Sequence, residues 1–216
     1  MRKRLMGLFS LVLMIFVLFS TVSCDRSYDE AEVTANASRL LKEAEVLNEI
    51  YYGKGIRYIT TGYTDGYYYE ADPMHLHQLG FSTVEELKNK TLATFTKGYS
   101  EQIFATKLSM IEDETGVQQM VRYYQKYEGI NILAPVCIMV YSKAPVSLKD
   151  ELIYDYASIR VTGSHGQTVI VEVDVTVKSG DKSQLITLTI DLIEEDDGWK
   201  IDNPCYANYN DNYGEY

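Results

Sequence analysis

The sequence predicts an α+β domain in which N-terminal helices pack on a curved antiparallel sheet. Apolar residues recur at helical spacing in the first half of the chain, and alternating runs rich in Tyr, Val and Ile replace them after Gly116. The last third contains four strand-like segments separated by short turns, which is typical of an antiparallel meander. Once the first 23 residues are removed, the chain is long enough for one core and marginal for two, so we expect one domain.

Three helices are predicted before Gly116. The first begins at Thr34 and ends before Gly53, the second opens at Ser82 with Glu85 completing a capping box, and Ser100 caps a shorter third helix. The stripe that the first helix presents to the sheet is apolar and consists of Ala37, Leu40, Leu41, Ala44, Leu47 and Tyr51. We read residues 56–80 as loop with a short strand, because glycines and the Asp72-Pro73 pair interrupt every period there.

The strands follow in the second half of the chain. Residues 121–127 and 130–133 predict a hairpin, and the meander is expected over 154–161, 168–178, 185–193 and 198–202. In its second strand five valines alternate with Glu172, Asp174 and other outward residues. One face of the sheet is therefore expected to be core and the other wet and acidic, so these carboxylates point away from the interior.

The N-terminus reads as an export signal. A basic start, Met1 to Arg4, precedes an apolar run from Leu5 to Phe19 and the small-residue segment that ends at Cys24. Thr21-Val22-Ser23-Cys24 resembles the lipobox of bacterial lipoproteins, with Thr where Leu is usual. The resemblance implies a palmitate-bearing lipid anchor on Cys24 and a location on the outer face of the cell membrane. The alternative is an ordinary secretory signal that leaves Cys24 as a thiol.

Composition limits the partners. Loss of the three basic residues of the signal changes the formal net charge from −11 to −14, which gives no electrostatic basis for binding nucleic acid or anionic lipid. The expected organisation is a signal peptide at 1–23, a tether at 24–33, a single α+β domain at 34–206 and a flexible tail rich in Tyr and Asn at 207–216.

The segment Gly198-Trp199-Lys200-Ile201-Asp202 ends the predicted meander. This ending, after helices and a curved sheet, resembles the NTF2-like or cystatin-like group of small exported proteins, which implies that Trp199 closes the sheet against the first helix. The Tyr-rich stretch and the start of the second helix, Phe81 to Leu87, are also similar to IseA-type inhibitors of cell-wall DL-endopeptidases. That resemblance implies a non-catalytic protein that occupies the cleft of a peptidoglycan hydrolase.

Tyrosine is the unusual component, with 19 residues in the chain. The run Tyr67-Tyr68-Tyr69 cannot bury three rings on one side of a strand, so at least one ring is expected to be exposed. Stiff amphipathic rings suit recognition of sugars or proteins. The predicted binding residues are Tyr63, Tyr67, Tyr68, Tyr69 and Trp199, with packing as the alternative for the run.

No catalytic, metal or cofactor site is predicted. His75 and His77 would lie on one side of an extended segment, but no third ligand has a suitable spacing, and Asp72 is explained as a turn residue. Cys137 and Cys205 leave two alternatives open. They form a disulfide, which is permitted in an exported protein, or Cys137 is a buried free thiol.

The sequence thus favours a membrane-anchored binding domain without catalysis that recognises an envelope protein or glycan, including a peptidoglycan hydrolase. The alternative is an NTF2-like small-ligand carrier or enzyme that uses a cavity between helix and sheet. An apolar pocket with a buried, unpaired acid or histidine would favour that alternative, and a filled interior would oppose it.

Overall fold

The architecture was obtained as a computed structural model, which describes residues 28–62, 64–108, 111–112, 118–119, 121–126 and 137–206. Cys24, Tyr63, the predicted strand at 130–133 and the tail at 207–216 lie outside these residues. The α+β class is confirmed. The helices are α1 (Glu30–Tyr51), α2 (Pro73–Leu79), α3 (Val84–Thr94) and α4 (Lys97–Lys107).

The strands of the described residues form three sheets. The small sheet has the order β1-β2-β6-β5 and contains β1 (Thr64–Asp65), β2 (Tyr68–Glu70), β5 (Tyr123–Lys126) and β6 (Cys137–Tyr141). The large sheet has the order β10-β9-β8-β7 and contains β7 (Glu151–His165), β8 (Thr168–Ser179), β9 (Lys182–Glu195) and β10 (Gly198–Ile201). A two-stranded ladder joins β3 (Ile111–Glu112) and β4 (Gln118–Gln119). The predicted meander is therefore confirmed, with longer strands than the pattern indicated.

Helix α1 begins four residues earlier than expected. The Asp29 side chain accepts a hydrogen bond from the Ala31 amide at 2.9 Å, and this cap starts the helix at Glu30. Residues 30–33 of the predicted tether are thus helical, and Val33 is already buried. The apolar stripe then packs on β7 and on the buried face of the large sheet.

The other helix starts are also shifted. The capping box of α3 consists of Thr83 and Glu86, one residue after the predicted pair, and Thr96 rather than Ser100 caps α4. Ser100 is instead buried inside α4, where its hydroxyl donates to the Phe95 carbonyl. The cap of α3 is thus the residue next to the predicted one, whereas the cap of α4 lies four residues before the predicted one.

The large sheet has one buried and one wet face, as predicted. Val169, Val171, Val173 and Val175 are fully buried against the helices. On the opposite face the Arg160 guanidinium contacts Glu172 at 2.6 Å and Asp174 at 3.5 Å. These two carboxylates therefore point away from the helix-to-sheet interior.

The small sheet is attached at the C-terminal end of α1. The Tyr123 hydroxyl donates to the Ile50 carbonyl at 2.7 Å and accepts from the Ile56 amide at 3.0 Å. The buried Arg122 donates to the Gly53 carbonyl at 2.5 Å and to the Pro145 carbonyl at 2.9 Å. Since the last carbonyls of a helix lack partners within it, Tyr123 caps α1, and Arg122 attaches the small sheet to the segment that follows the helix.

Candidate functional site

The Tyr-rich segment forms a tight hairpin. The pairing of Asp65 with Tyr68 leaves Gly66 and Tyr67 as a two-residue loop between β1 and β2. Gly66 has a φ of +59°, which the first position of the favoured hairpin turns requires and which a side chain resists. Tyr67 therefore occupies the tip, where 52% of it is exposed.

The tip is held in place from β6. The Tyr67 carbonyl accepts hydrogen bonds from the Ser142 amide at 3.0 Å and from the Ser142 hydroxyl at 2.7 Å. The ammonium of Lys143 lies 3.5 Å from the centre of the Tyr67 ring, a cation–π contact. Because backbone and ring are both ordered before any partner arrives, less entropy is lost on binding.

A second pair of rings extends this exposed surface. Tyr69 stacks on Tyr58 with ring centres 5.0 Å apart and an interplanar angle of 24°. Tyr58 is 38% exposed and Tyr69 is half-buried. A backbone bridge between Tyr58 and Ala71 keeps the two segments adjacent. We define Tyr58, Tyr67, Tyr69 and Lys143 as the tyrosine surface.

Tyr68 faces the other way. It is only 4% exposed, and its hydroxyl donates to the Val121 carbonyl at 2.7 Å. Its ring packs edge-on against Tyr124 and tilted against Tyr141, with centres 4.9 Å and 5.2 Å away. The expectation that the three consecutive rings cannot all be buried together is confirmed, and Tyr68 packs in the interior instead of being presented to a partner.

Trp199 is also placed in the interior. It is 6% exposed and packs edge-on against Tyr28, with ring centres 5.3 Å apart. Tyr28 directly precedes the cap of α1, so Trp199 does close the large sheet against the start of the first helix. It offers no surface to a partner and lies in the other sheet from Tyr67, so we leave it out of the tyrosine surface.

The histidine segment is helical, which corrects its interpretation as loop. Asp72 caps α2 through a 2.9 Å hydrogen bond to the Met74 amide, and Pro73 occupies the first turn. Two positions apart on a helix, His75 and His77 point in nearly opposite directions. His75 Nδ1 accepts from the Arg57 amide at 2.9 Å, and burial lowers its pKa. Within the described ranges no group of three His, Cys, Asp or Glu residues is placed to hold a metal ion.

Cys137 and Cys205 are free thiols with different neighbours. Cys137 Sγ lies 3.5 Å from Met139 Sδ in β6. Cys205 is 1% exposed, and its Sγ accepts a hydrogen bond from the side-chain amide of Asn48 at 3.4 Å. Burial raises the pKa of the Cys205 thiol to about 11, so it stays protonated at neutral pH. Both thiols are free in the structure, and it is Cys205 rather than Cys137 that is buried, since Cys137 is only partly buried.

The space between α1 and the large sheet is filled by side chains. The stripe of α1 and the valines of β8 belong to one continuous cluster of buried residues. Among the described residues, the buried polar side chains are Asn48, Thr91, Thr94, Thr96, Ser100, Arg122 and Lys200. This set of described residues contains no carboxylate and no histidine.

Comparison with other proteins adds no relative. No protein-family model, curated protein or solved structure matches this chain. Of the helices in the described part, none is sufficiently long and apolar to cross a membrane. The interpretation of the site therefore depends on its own geometry.

The sequence did not identify Tyr58 and Lys143 as members of the tyrosine surface, nor Arg122 as a support of the small sheet. Lys143 follows β6 and reaches Tyr67 only because β2 and β6 are neighbours in the small sheet. Arg122 reads as an ordinary polar residue of the predicted strand at 121–127, yet it is buried and links Gly53, Pro145 and Tyr123. Neither contact has a local signal, because both depend on pairing between distant segments.

Proposed function

We propose that this chain is a membrane-anchored, extracytoplasmic binding domain without catalysis, which recognises a protein of the cell envelope through the tyrosine surface. The observation that carries the proposal is Tyr67, a half-exposed ring held at a rigid hairpin tip above a filled interior. Exposed aromatic rings on a fixed backbone are typical of binding hot spots. The lipobox-like ending at Cys24 supports the anchor and the location.

A protein partner is favoured over a glycan by the way the rings are arranged. Sugars stack on an open aromatic face, but Lys143 covers one face of Tyr67, and the stacked pair Tyr58 and Tyr69 cover each other. Each ring therefore has one face already in contact with a neighbour, and the three rings do not form one continuous open platform. Tyrosine is among the residues that are enriched at protein interfaces, so three neighbouring exposed or half-buried tyrosines support a protein partner.

A peptidoglycan hydrolase is the partner that the resemblance to IseA-type inhibitors suggests. In the same proposal the domain has an NTF2-like or cystatin-like arrangement, supported by a long first helix packed on a four-stranded meander with Trp199 against its start. Such an inhibitor would insert the hairpin tip into the cleft of a DL-endopeptidase. The small loop and its fixed carbonyl suit that geometry.

The test compares two variants in a digestion assay. The purified domain should slow peptidoglycan digestion by a DL-endopeptidase, and Tyr67→Ala should weaken the inhibition about tenfold or more, as expected for a hot-spot residue. Leu185→Ala is the matched control, because Leu185 is 68% exposed but lies in the large sheet. Unchanged digestion at high molar excess of the wild-type domain would overturn the inhibitor proposal.

The anchor is tested separately. Cells that express the full chain should incorporate labelled palmitate into it, and Cys24→Ser should abolish both the label and sedimentation with membranes. A Cys24→Ser chain that still sediments with membranes would show that the lipid is not what holds it.

A further inference from the structure

The fold begins close to the proposed lipid. Tyr28 is already packed on Trp199, and its hydroxyl donates to the Gly166 carbonyl at 3.3 Å. Cys24 is four residues earlier, and a chain of that length spans at most about 14 Å. If the lipid is on Cys24, the end of the domain that carries Tyr28 and the Gly166 turn must therefore lie next to the membrane.

The long axis of the domain leads away from this end. Helix α1 has 22 residues and so extends about 33 Å from Glu30 to Tyr51. Strand β7 runs antiparallel to α1. The Tyr156 hydroxyl donates to the Glu45 carboxylate at 2.7 Å. Earlier in β7, the Tyr154 hydroxyl donates to the carbonyl of Cys205, and the sulfur of Cys205 accepts from the side chain of Asn48, which lies further along the helix. The Gly166 turn and the Gly180 turn consequently lie at opposite ends of the large sheet.

The tyrosine surface belongs to the far end. The Tyr52 carbonyl, just after α1, accepts from the Ser147 amide at 2.8 Å. Ser147 is five residues from Ser142, which holds the Tyr67 carbonyl, so the hairpin tip lies within about 18 Å of the end of α1. The small sheet is joined to the same end through Arg122 and Gly53.

The charges at the near end oppose contact with an anionic lipid surface. Glu30 and Glu32 in the first turn of α1 and Asp196 in the β9–β10 turn are exposed, while the neighbouring Asp197 is paired with the Lys200 ammonium at 3.0 Å. Charges within about 8 Å of a like-charged surface repel it at physiological ionic strength. A domain on a short tether with an acidic base is thus favoured to stand away from the lipid.

We infer that the anchored domain stands with α1 directed away from the membrane and presents the tyrosine surface on the order of 30 Å above the lipid. Its partner is then a protein domain of the envelope beyond the headgroups, and the tyrosines do not serve to insert into the membrane. This inference rests on the proposed lipid anchor.

The experiment uses the lipidated chain on vesicles of phosphatidylcholine and phosphatidylglycerol that contain a headgroup-labelled nitroxide lipid, a short-range quencher. One fluorophore is attached in turn to His165→Cys near the anchored end, to Asp181→Cys at the far turn and to Thr64→Cys on β1, all exposed positions. The background carries Cys137→Ala, and the buried Cys205 stays unlabelled.

The expected result is strong quenching at residue 165 and little at residues 181 and 64. Equal quenching at the three positions would overturn the orientation, and the strongest quenching at residue 64 would show that the tyrosines meet lipid. If the wild-type chain does not sediment with the vesicles, the anchor fails and the orientation fails with it. Sedimentation with equal quenching removes the orientation alone, so the two failures are distinguishable.

Discussion

The two sheets expose different chemistry although both are built from alternating strands. The wet face of the large sheet carries Glu172 and Asp174, which are paired with Arg160. The small sheet instead exposes Tyr67 and the stacked pair of Tyr58 and Tyr69. Polar side chains cost nothing to leave in water, whereas exposed aromatic rings forgo burial that the core could have used. This difference supports our proposal that the large sheet is the scaffold and the small sheet carries the binding surface.

The largest expected effect tests the scaffold role by shortening one side chain in the core between α1 and the large sheet and one on the outer face of that sheet. Leu40→Ala removes a fully buried side chain from α1 and should lower the free energy of unfolding by about 3 kcal/mol, through lost burial and the cavity left behind. Leu185→Ala, at 68% exposure, should change it by less than about 0.5 kcal/mol. Urea unfolding measures both, and similar losses would mean that the outer face is covered.

The junction between the sheets offers the next effect. Gly55 has a φ of +79°, and an added Cβ would lie 2.4 Å from the Tyr123 hydroxyl and 2.6 Å from the Arg122 guanidinium. Gly55→Ala should cost about 2–4 kcal/mol, because backbone strain and overlap add.

Gly66→Ala provides the control for that junction. Gly66 also has a positive φ, but no atom lies within 4 Å of the added Cβ, so strain alone should cost about 1 kcal/mol. If urea unfolding shows the same decrease in the free energy of unfolding for both variants, the contacts of Arg122 and Tyr123 with Gly55 are not tight.

The buried thiol of Cys205 should make the free energy of unfolding depend on pH, with a smaller effect than the substitutions above. Burial raises the pKa of Cys205 to about 11 from an ordinary value near 9. Between pH 9 and pH 11 the thiol is therefore protonated in the folded state and deprotonated in the unfolded state. Stability is then fully present below about pH 9 and falls as pH rises toward 11, by about 1.4 kcal/mol per pH unit at most. Urea midpoints at pH 8, 9 and 10 measure the slope.

Cys205→Val separates this slope from other titrations. The buried tyrosines also have raised pKa values and contribute at the alkaline end, and Cys137 has a raised pKa as well. The variant should be less pH-sensitive between pH 9 and 10. An unchanged slope would assign the effect to the other groups.

The smallest expected change concerns the cap of α3. Thr83→Ala removes the hydroxyl that accepts from the Glu86 amide at 3.1 Å and should cost about 1 kcal/mol. Ser82→Ala is the matched control, since the predicted cap residue is not the one that caps. A larger loss for Ser82→Ala, measured by thermal unfolding, would restore the predicted boundary.

The periodic parts of the fold were predictable and the junctions were not. Alternation places the valines of β8 on one face without any tertiary information, so the meander and its core face could be predicted. The cap and proline at Asp72-Pro73 are a helix-start signal that the surrounding tyrosines and glycines obscured, and α2 was therefore missed. The run Tyr67 to Tyr69 predicted an exposed ring by geometry alone. Which ring it is, and its contact with Lys143, depend on strand pairing across the chain.

The central claim is that Tyr67 contacts a partner protein in the envelope, and site-specific photo-cross-linking in intact cells tests it most directly. A photoreactive amino acid replaces Tyr67 in one lipidated chain and Leu185 in another, because both positions are exposed but lie in different sheets. We expect a discrete cross-linked protein product from position 67 and none from position 185. The same product from both positions, or a product only from position 185, would contradict it.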